Sequence, residues 1–197
     1  MKETNEPQVL REQMQLLLQK AGWYPGRHVD LSGYKRRCEQ QGVELFPAAQ
    51  AFLEEFSGID NEVHFKYYTD HEEAQEMETG WHEYDFNFEP DAVERFHCKA
   101  ELEIIIRHAQ EDCYCLGLSG YYYPAVTAIG RSGKLYLLHD YNPQVLVFDS
   151  LQASMSHELG HLQLVESSLY GENRLLLPTV AGLKWLPENV PNPFVEE

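Results

Sequence analysis

The sequence has no apolar run near the roughly 18 residues that a membrane helix needs, so nothing in it reads as a helical span. It has little positive charge. Lys plus Arg number 15 against 32 Asp plus Glu, a net −17 in 197 residues. Phosphate contacts need a basic surface, so the balance argues against direct binding of nucleic acid and against an anionic membrane surface. There is no G-x-G-x-x-G, no phosphate-binding Gly-Lys-Ser/Thr loop and no G-x-S-x-G elbow, which leaves no signature of dinucleotide, nucleotide or serine-hydrolase chemistry. The first residues, Met1 to Gln8, lack the basic and apolar regions of a signal peptide, so the expected location is cytoplasmic. Four cysteines, Cys38, Cys98, Cys113 and Cys115, form no C-x-x-C pair and read as free thiols. Cys113 and Cys115 share a face if they lie on a strand, where they serve either as core thiols or as part of a metal site.

What remains is a folded globule. Hydrophobic residues make up 43% and aromatics 12%, too many for a disordered acidic chain. The length suits one domain that buries roughly 70% of its extended-chain surface. The acidity points either to solubility or to a basic partner.

Apolar spacing predicts a helix from Pro7 to Lys20, stopped by Gly22. A second follows from a Ser32 cap to Gln41, and a third from Pro47, with Ala48, Ala49, Phe52, Leu53 and Phe56 as its stripe, to Gly58. Alternation predicts strands over Glu62 to Thr69 and Trp81 to Phe88, joined by an acidic connector from Asp70 to Gly80. One long helix is expected from Glu89-Pro90 to about Gln110. Short strands follow near Tyr114 to Leu118, Ala125 to Gly130, Lys134 to His139 and Gln144 to Phe148. Arg131-Ser132-Gly133 makes a hairpin turn with Gly133 at positive φ. A last helix, capped by Asp149 or Ser150, reaches about Val165. The proline-rich tail, residues 171–197, reads as an extended arm that either packs on the body or is partly disordered. Helices first, antiparallel hairpins next and a helix last give an α+β architecture.

Several blocks resemble one family. Ala21-Gly22-Trp23-Tyr24-Pro25-Gly26-Arg27-His28-Val29-Asp30 is similar to the "aGW-x-PGR-x-vd" opening of the third family of the SUKH superfamily. Pro47-Ala48-Ala49 with Phe52-Leu53-Glu54-Glu55-Phe56-Ser57-Gly58 resembles its "P-A-A-x-x-F-L-x-x-F-G-G" block. Leu116-Gly117-Leu118 stands where the family has a "P-l-G" turn. Ile129 to Tyr136 stands where it has an acidic "D-x-x-G-x-v-Y" hairpin. Two positions depart: Leu116 replaces the usual proline, and Gly130 or Arg131 the usual acidic residue. The resemblance covers about residues 10–148 of a single SUKH-like domain, 1–197.

The resemblance implies a bacterial immunity protein, non-enzymatic and without cofactor. Such a protein binds and neutralises a toxin of a polymorphic or contact-dependent system, a nuclease or nucleic-acid deaminase. It gives Gly22, Trp23, Pro25, Gly26, Arg27, Phe52, Gly133 and Tyr136 the standing of motif residues that hold the fold. A nuclease has a basic cleft, which an acidic protein fills with electrostatic steering. Candidate surface is the connector, Asp70, Glu72, Glu73, Glu76 and Glu78, continued by Glu83 and Asp85. The same run also reads as a solvated loop. Tyr121-Tyr122-Tyr123 reads either as an aromatic anchor, through Tyr121 and Tyr122, or as a strand with one buried tyrosine face.

One motif belongs to a different class. His157-Glu158-Leu159-Gly160-His161 matches H-E-x-x-H, in which two histidines on one helix face bind zinc and the glutamate acts as general base. The alternative function is therefore a small zinc-dependent metallopeptidase. Against it, no metzincin continuation follows, and the competing reading is the polar face of an amphipathic helix.

Overall fold

The computed structural model describes residues 14–15, 17–68, 81–159 and 182–185. Residues 17–20 are helical and carry Leu17 and Leu18 into the core, with Met14. The chain then forms α1 (Ser32–Gln41), α2 (Pro47–Phe56), β1 (Ile59–Tyr68), β2 (Trp81–Phe88), α3 (Ala92–Phe96), α4 (Lys99–Ala109), β3 (Cys113–Tyr121), β4 (Ala125–Gly130), β5 (Leu135–Leu138), β6 (Leu146–Phe148), α5 (Leu151–Leu159) and β7 (Gly182–Trp185). All strand pairs are antiparallel, in the order β6-β5-β4-β3-β2-β1-β7. This is the α+β architecture expected.

The β3–β5 part of the sheet is covered on both sides. One core joins the N-terminal helices and α5 to the inward residues of the strands, among them Phe52, Phe56, Tyr84, Phe86 and Phe88. Phe52 meets Phe88 edge-on, with ring centroids 5.1 Å apart, an arrangement that adds to simple burial. The second core packs α3 and α4, through Ala92, Cys98 and Ile105, on Cys115, Val126, Ala128 and Tyr136. β4 and β5 are buried on both faces, which explains why they are continuous apolar runs rather than alternating ones.

Several boundaries differ from expectation. Ser32 is not the cap of α1 but its first residue; its N–H bonds to Asp30 Oδ1 at 2.8 Å. The aspartate offers the better acceptor for a free helix-start amide, and the Ser32 hydroxyl and amide hold its carboxyl below the usual range. Gly42 ends α1 in the left-handed region, as expected. β1 begins at Ile59 rather than Glu62, because Gly58 N–H already bonds to Phe88 O at 2.8 Å.

The long helix is two. His97 adopts φ 53 and ends α3, and Cys98 starts α4. The break lets the Cys98 side chain bury beneath Ala92, whose carbonyl accepts its S–H at 3.7 Å. α5 is capped by Ser150, whose Oγ accepts Ala153 N–H at 3.1 Å. Within the proline-rich tail, residues 182–185 form β7 and pair with β1 from Phe65↔Trp185 to Tyr68↔Gly182. That part is an edge strand of the sheet.

Candidate functional site

The residues of the Gly22 to Arg27 block act on the fold. Arg27 donates from Nη1 to Glu55 O at 2.5 Å and from Nη2 to Ser57 O at 2.7 Å. Both carbonyls sit at the end of α2, where backbone acceptors lack helical partners. The guanidinium fork therefore caps α2 from outside and favours its negative end. Trp23 stacks on Phe56 with centroids 6.5 Å apart and donates from Nε1 to Glu55 Oε1 at 2.9 Å. Gly22 and Gly26 have φ of 106° and 79°, which shape the loop that delivers Arg27.

The second pair of motifs is also structural. Leu116-Gly117-Leu118 is not a turn but the site of a bulge in β3, where the register shifts between Cys115 and Gly117. A Cβ at Gly117 would lie 1.8 Å from Asn87 O, so the backbones of β2 and β3 approach there as only glycine permits. In the 130–133 turn, Gly133 takes φ 84 as expected. The carboxylate of this hairpin comes from Glu111. It accepts Ser132 N–H at 2.8 Å, Ser132 Oγ at 2.6 Å and Tyr136 OH at 2.8 Å. A Cβ at Gly130 would meet Glu111 Oε1 at 2.2 Å. The carboxylate at this turn thus comes from the segment between α4 and β3.

The described candidate surface residues lie elsewhere, on the β1–β2 hairpin and the turn beside it. Glu62 and Asp85 are direct cross-strand partners, and Glu83 lies two residues from Asp85 on the same side of β2. Like charges placed opposite each other in a sheet destabilise it. Accordingly, burial, then Glu62 and Glu83, push the Asp85 carboxyl up to about 6. The inward neighbours Tyr84, Phe86 and Phe88 are fully buried, which fixes these carboxylates on the opposite face.

The tyrosine turn adjoins this strip, since Tyr122 N–H reaches Glu83 O at 3.4 Å. Tyr121 packs against the core, while Tyr122 is partly exposed with φ 59. Among the described residues the most exposed aromatics are Tyr123 and Tyr141, 68% and 63% exposed, whose rings meet edge-on at 5.9 Å. Sequence reasoning did not select Glu62 or Tyr141. The Asp140-Tyr141-Asn142-Pro143 stretch, with an aromatic inside a turn composition, carried that signal.

Asp70, Glu72, Glu73, Glu76 and Glu78 lie outside the described residues, as does His161. The part of H-E-x-x-H that is described does not face one cleft. His157 is exposed, 5.3 Å from the Phe148 ring. Glu158 turns inward. It accepts the Tyr84 hydroxyl and the Tyr121 N–H, and its Oε1 lies 3.8 Å from His139 Nε2, with both side chains 8% exposed. Burial pushes the Glu158 carboxyl up to about 7 and holds His139 below its usual value. His139 Nδ1 is 3.0 Å from Tyr123 O; a carbonyl only accepts, so Nδ1 carries the proton. The polar-face reading therefore suits His157 but not Glu158, which is a buried tie between α5, β2 and β3. Among the described residues, no group of three His, Cys, Asp or Glu side chains is placed to hold a metal ion. Likewise no helix among them is long and apolar enough to cross a membrane.

The model of one protein family, the SUKH-3 immunity proteins, matches residues 10–154. That span contains the Arg27 block, the Gly117 bulge, the Glu111-bound hairpin and the acidic strip. No curated protein and no solved structure matches the chain significantly.

Proposed function

The chain belongs to the SUKH-3 immunity protein family, and from that premise we propose that it binds and neutralises a cognate basic toxin in the cytoplasm. The toxin is a nuclease or nucleic-acid deaminase, and this chain acts as a single domain without catalysis of its own. The observation that carries the reading is the Glu62/Asp85/Glu83 strip. Burial and the neighbouring Glu62 and Glu83 disfavour the charged form of Asp85, and a cationic surface laid on the strip favours it again on binding. A toxin that grips phosphate presents such a surface. The Tyr121–Tyr123 turn and Tyr141 supply aromatic contact beside the charges, the combination that anchors interfaces. The connector between β1 and β2 adds Asp70, Glu72, Glu73, Glu76 and Glu78 to the acidic count of this stretch of sequence.

The test is stopped-flow binding to the toxin domain encoded beside this gene. Steered association slows steeply with ionic strength. From ~50 to ~500 mM salt the on-rate should fall about tenfold or more. The double variant Glu83→Gln/Asp85→Asn should flatten that dependence. An on-rate indifferent to salt and to both substitutions would remove the acidic strip from the interface.

A further inference from the structure

Two thiols that are 17 positions apart in sequence meet in the second core. Cys98 lies at the break between α3 and α4, and Cys115 lies in β3 just before the bulge. Their Sγ atoms are 3.2 Å apart and unbonded. They are 3% and 2% exposed, so neither meets the outer surface directly. Beside them lies a cavity of about 550 Å³ that Cys115 lines with Cys113, Tyr114, Phe46 and Leu102, with the exposed Asp91 and Arg131 at its wall. The other two cysteines have no such arrangement: Cys113 Sγ is directed at Glu111 O, 3.6 Å away, and Cys38 lies buried in α1.

We propose that Cys98 and Cys115 are a redox-modification site, closed to a reversible intramolecular disulfide by small hydroperoxides that enter through this cavity. A disulfide has S–S near 2.05 Å, so the sulfurs need to approach by only about 1.2 Å. In the first step one sulfur takes an oxygen from hydrogen peroxide. An S–O bond forms, the O–O bond breaks and one water leaves. In the second step the other sulfur attacks that sulfur. The S–S bond forms, the S–O bond breaks, and hydroxide takes up the remaining thiol proton and leaves as a second water. Two thiols are oxidised and one peroxide is reduced, with no further reactant. The hydrogen bond from the Cys115 thiol holds the Cys98 thiol below its ordinary value, so the pair releases its first proton more readily than an isolated buried thiol.

The consequence is local. The bond would pin the α3–α4 break to the centre of the sheet and restrict the unfolded chain. It rests on the second core and not on the toxin-binding reading.

The experiment uses the Cys38→Ser/Cys113→Ser variant, in which the pair holds the only thiols. The folded protein is treated with hydrogen peroxide, denatured, alkylated with iodoacetamide and weighed intact. The expected result is a mass lower by two hydrogen atoms, no alkylation, one peptide linking Cys98 to Cys115, and full reversal by dithiothreitol. The oxidised form should melt several degrees higher. Two alkylated thiols after peroxide, or added oxygen without a link, would overturn the proposal. Should that variant not fold, the wild-type chain is mapped in the same way. Linkage of Cys98 to Cys115 supports the pair, and linkage through Cys38 or Cys113 refutes it.

Discussion

Replacing Arg27 with alanine separates holding the fold from binding a partner more cleanly than any other change. The guanidinium makes two bonds, at 2.5 Å and 2.7 Å, to the carbonyls of Glu55 and Ser57. A hydrogen bond to a charged group is worth about 1.5–3 kcal/mol. Arg27 is half-buried and water reaches one side of it, so the pair is worth about 2–4 kcal/mol rather than the full sum. At 2–4 °C per kcal/mol for a chain of this size, Arg27→Ala should lower Tm by about 4–16 °C. Arg27→Lys keeps the charge but not the fork and should lose about half as much. Scanning calorimetry measures both. Toxin affinity at a temperature where both variants are folded should stay within about twofold, a difference of ~0.4 kcal/mol. A Tm unchanged within ~2 °C, together with lost binding, would show that the motif is an interface and the capping argument wrong.

Three further outcomes follow from the same packing. Gly117→Ala forces a Cβ to within 1.8 Å of Asn87 O at φ 142, so the variant should lose more than about 4 kcal/mol in urea titration or fail to accumulate folded. Glu158 has its carboxyl raised to about 7, so the folded state keeps a proton that the unfolded chain gives up above about pH 4.5. Its contribution to stability therefore falls as pH rises from about 4.5 to 7. Glu158→Gln should accordingly gain up to roughly 2–3 kcal/mol on the wild type between pH 4.5 and 8 in parallel urea melts. Asp85 is raised to about 6 by burial and its acidic neighbours; Asp85→Asn should raise Tm at pH 8, change it little at pH 4, and slow association with the toxin. Equal Tm gains at both pH values would refute the repulsion argument.

How far the fold was legible depends on how local its causes are. α2 was readable from Pro47 and its apolar stripe, and the 131–133 turn from Gly133, because both obey nearest-neighbour geometry. The α3–α4 break was not, since residues 92–109 keep helical spacing on either side. The break at His97 goes with the burial of Cys98 against Cys115, on a strand reached later in the chain. The same reason hid the role of Glu111, which serves a turn about twenty residues on, and the strand at 182–185, whose pairing with β1 is long-range. H-E-x-x-H was legible in part: His157 is exposed on α5, while Glu158 is drawn inward by Tyr84, a partner on β2 that helical spacing does not reveal, and the pairing of His157 with His161 lies outside the described residues. The acidic strip was half legible: Glu83 and Asp85 alternate along β2, but Glu62 joins them only through strand register.

The central claim is tested most directly by survival of cells that express the toxin domain encoded beside this gene, with and without this chain. The account predicts full protection by the wild type. It predicts weakened protection by Glu83→Gln/Asp85→Asn at equal folded protein, and retained protection by His157→Ala. Cells that die regardless of a folded, abundant chain would contradict neutralisation. Protection lost with His157→Ala but kept with the acidic double variant would contradict the acidic strip as the binding surface.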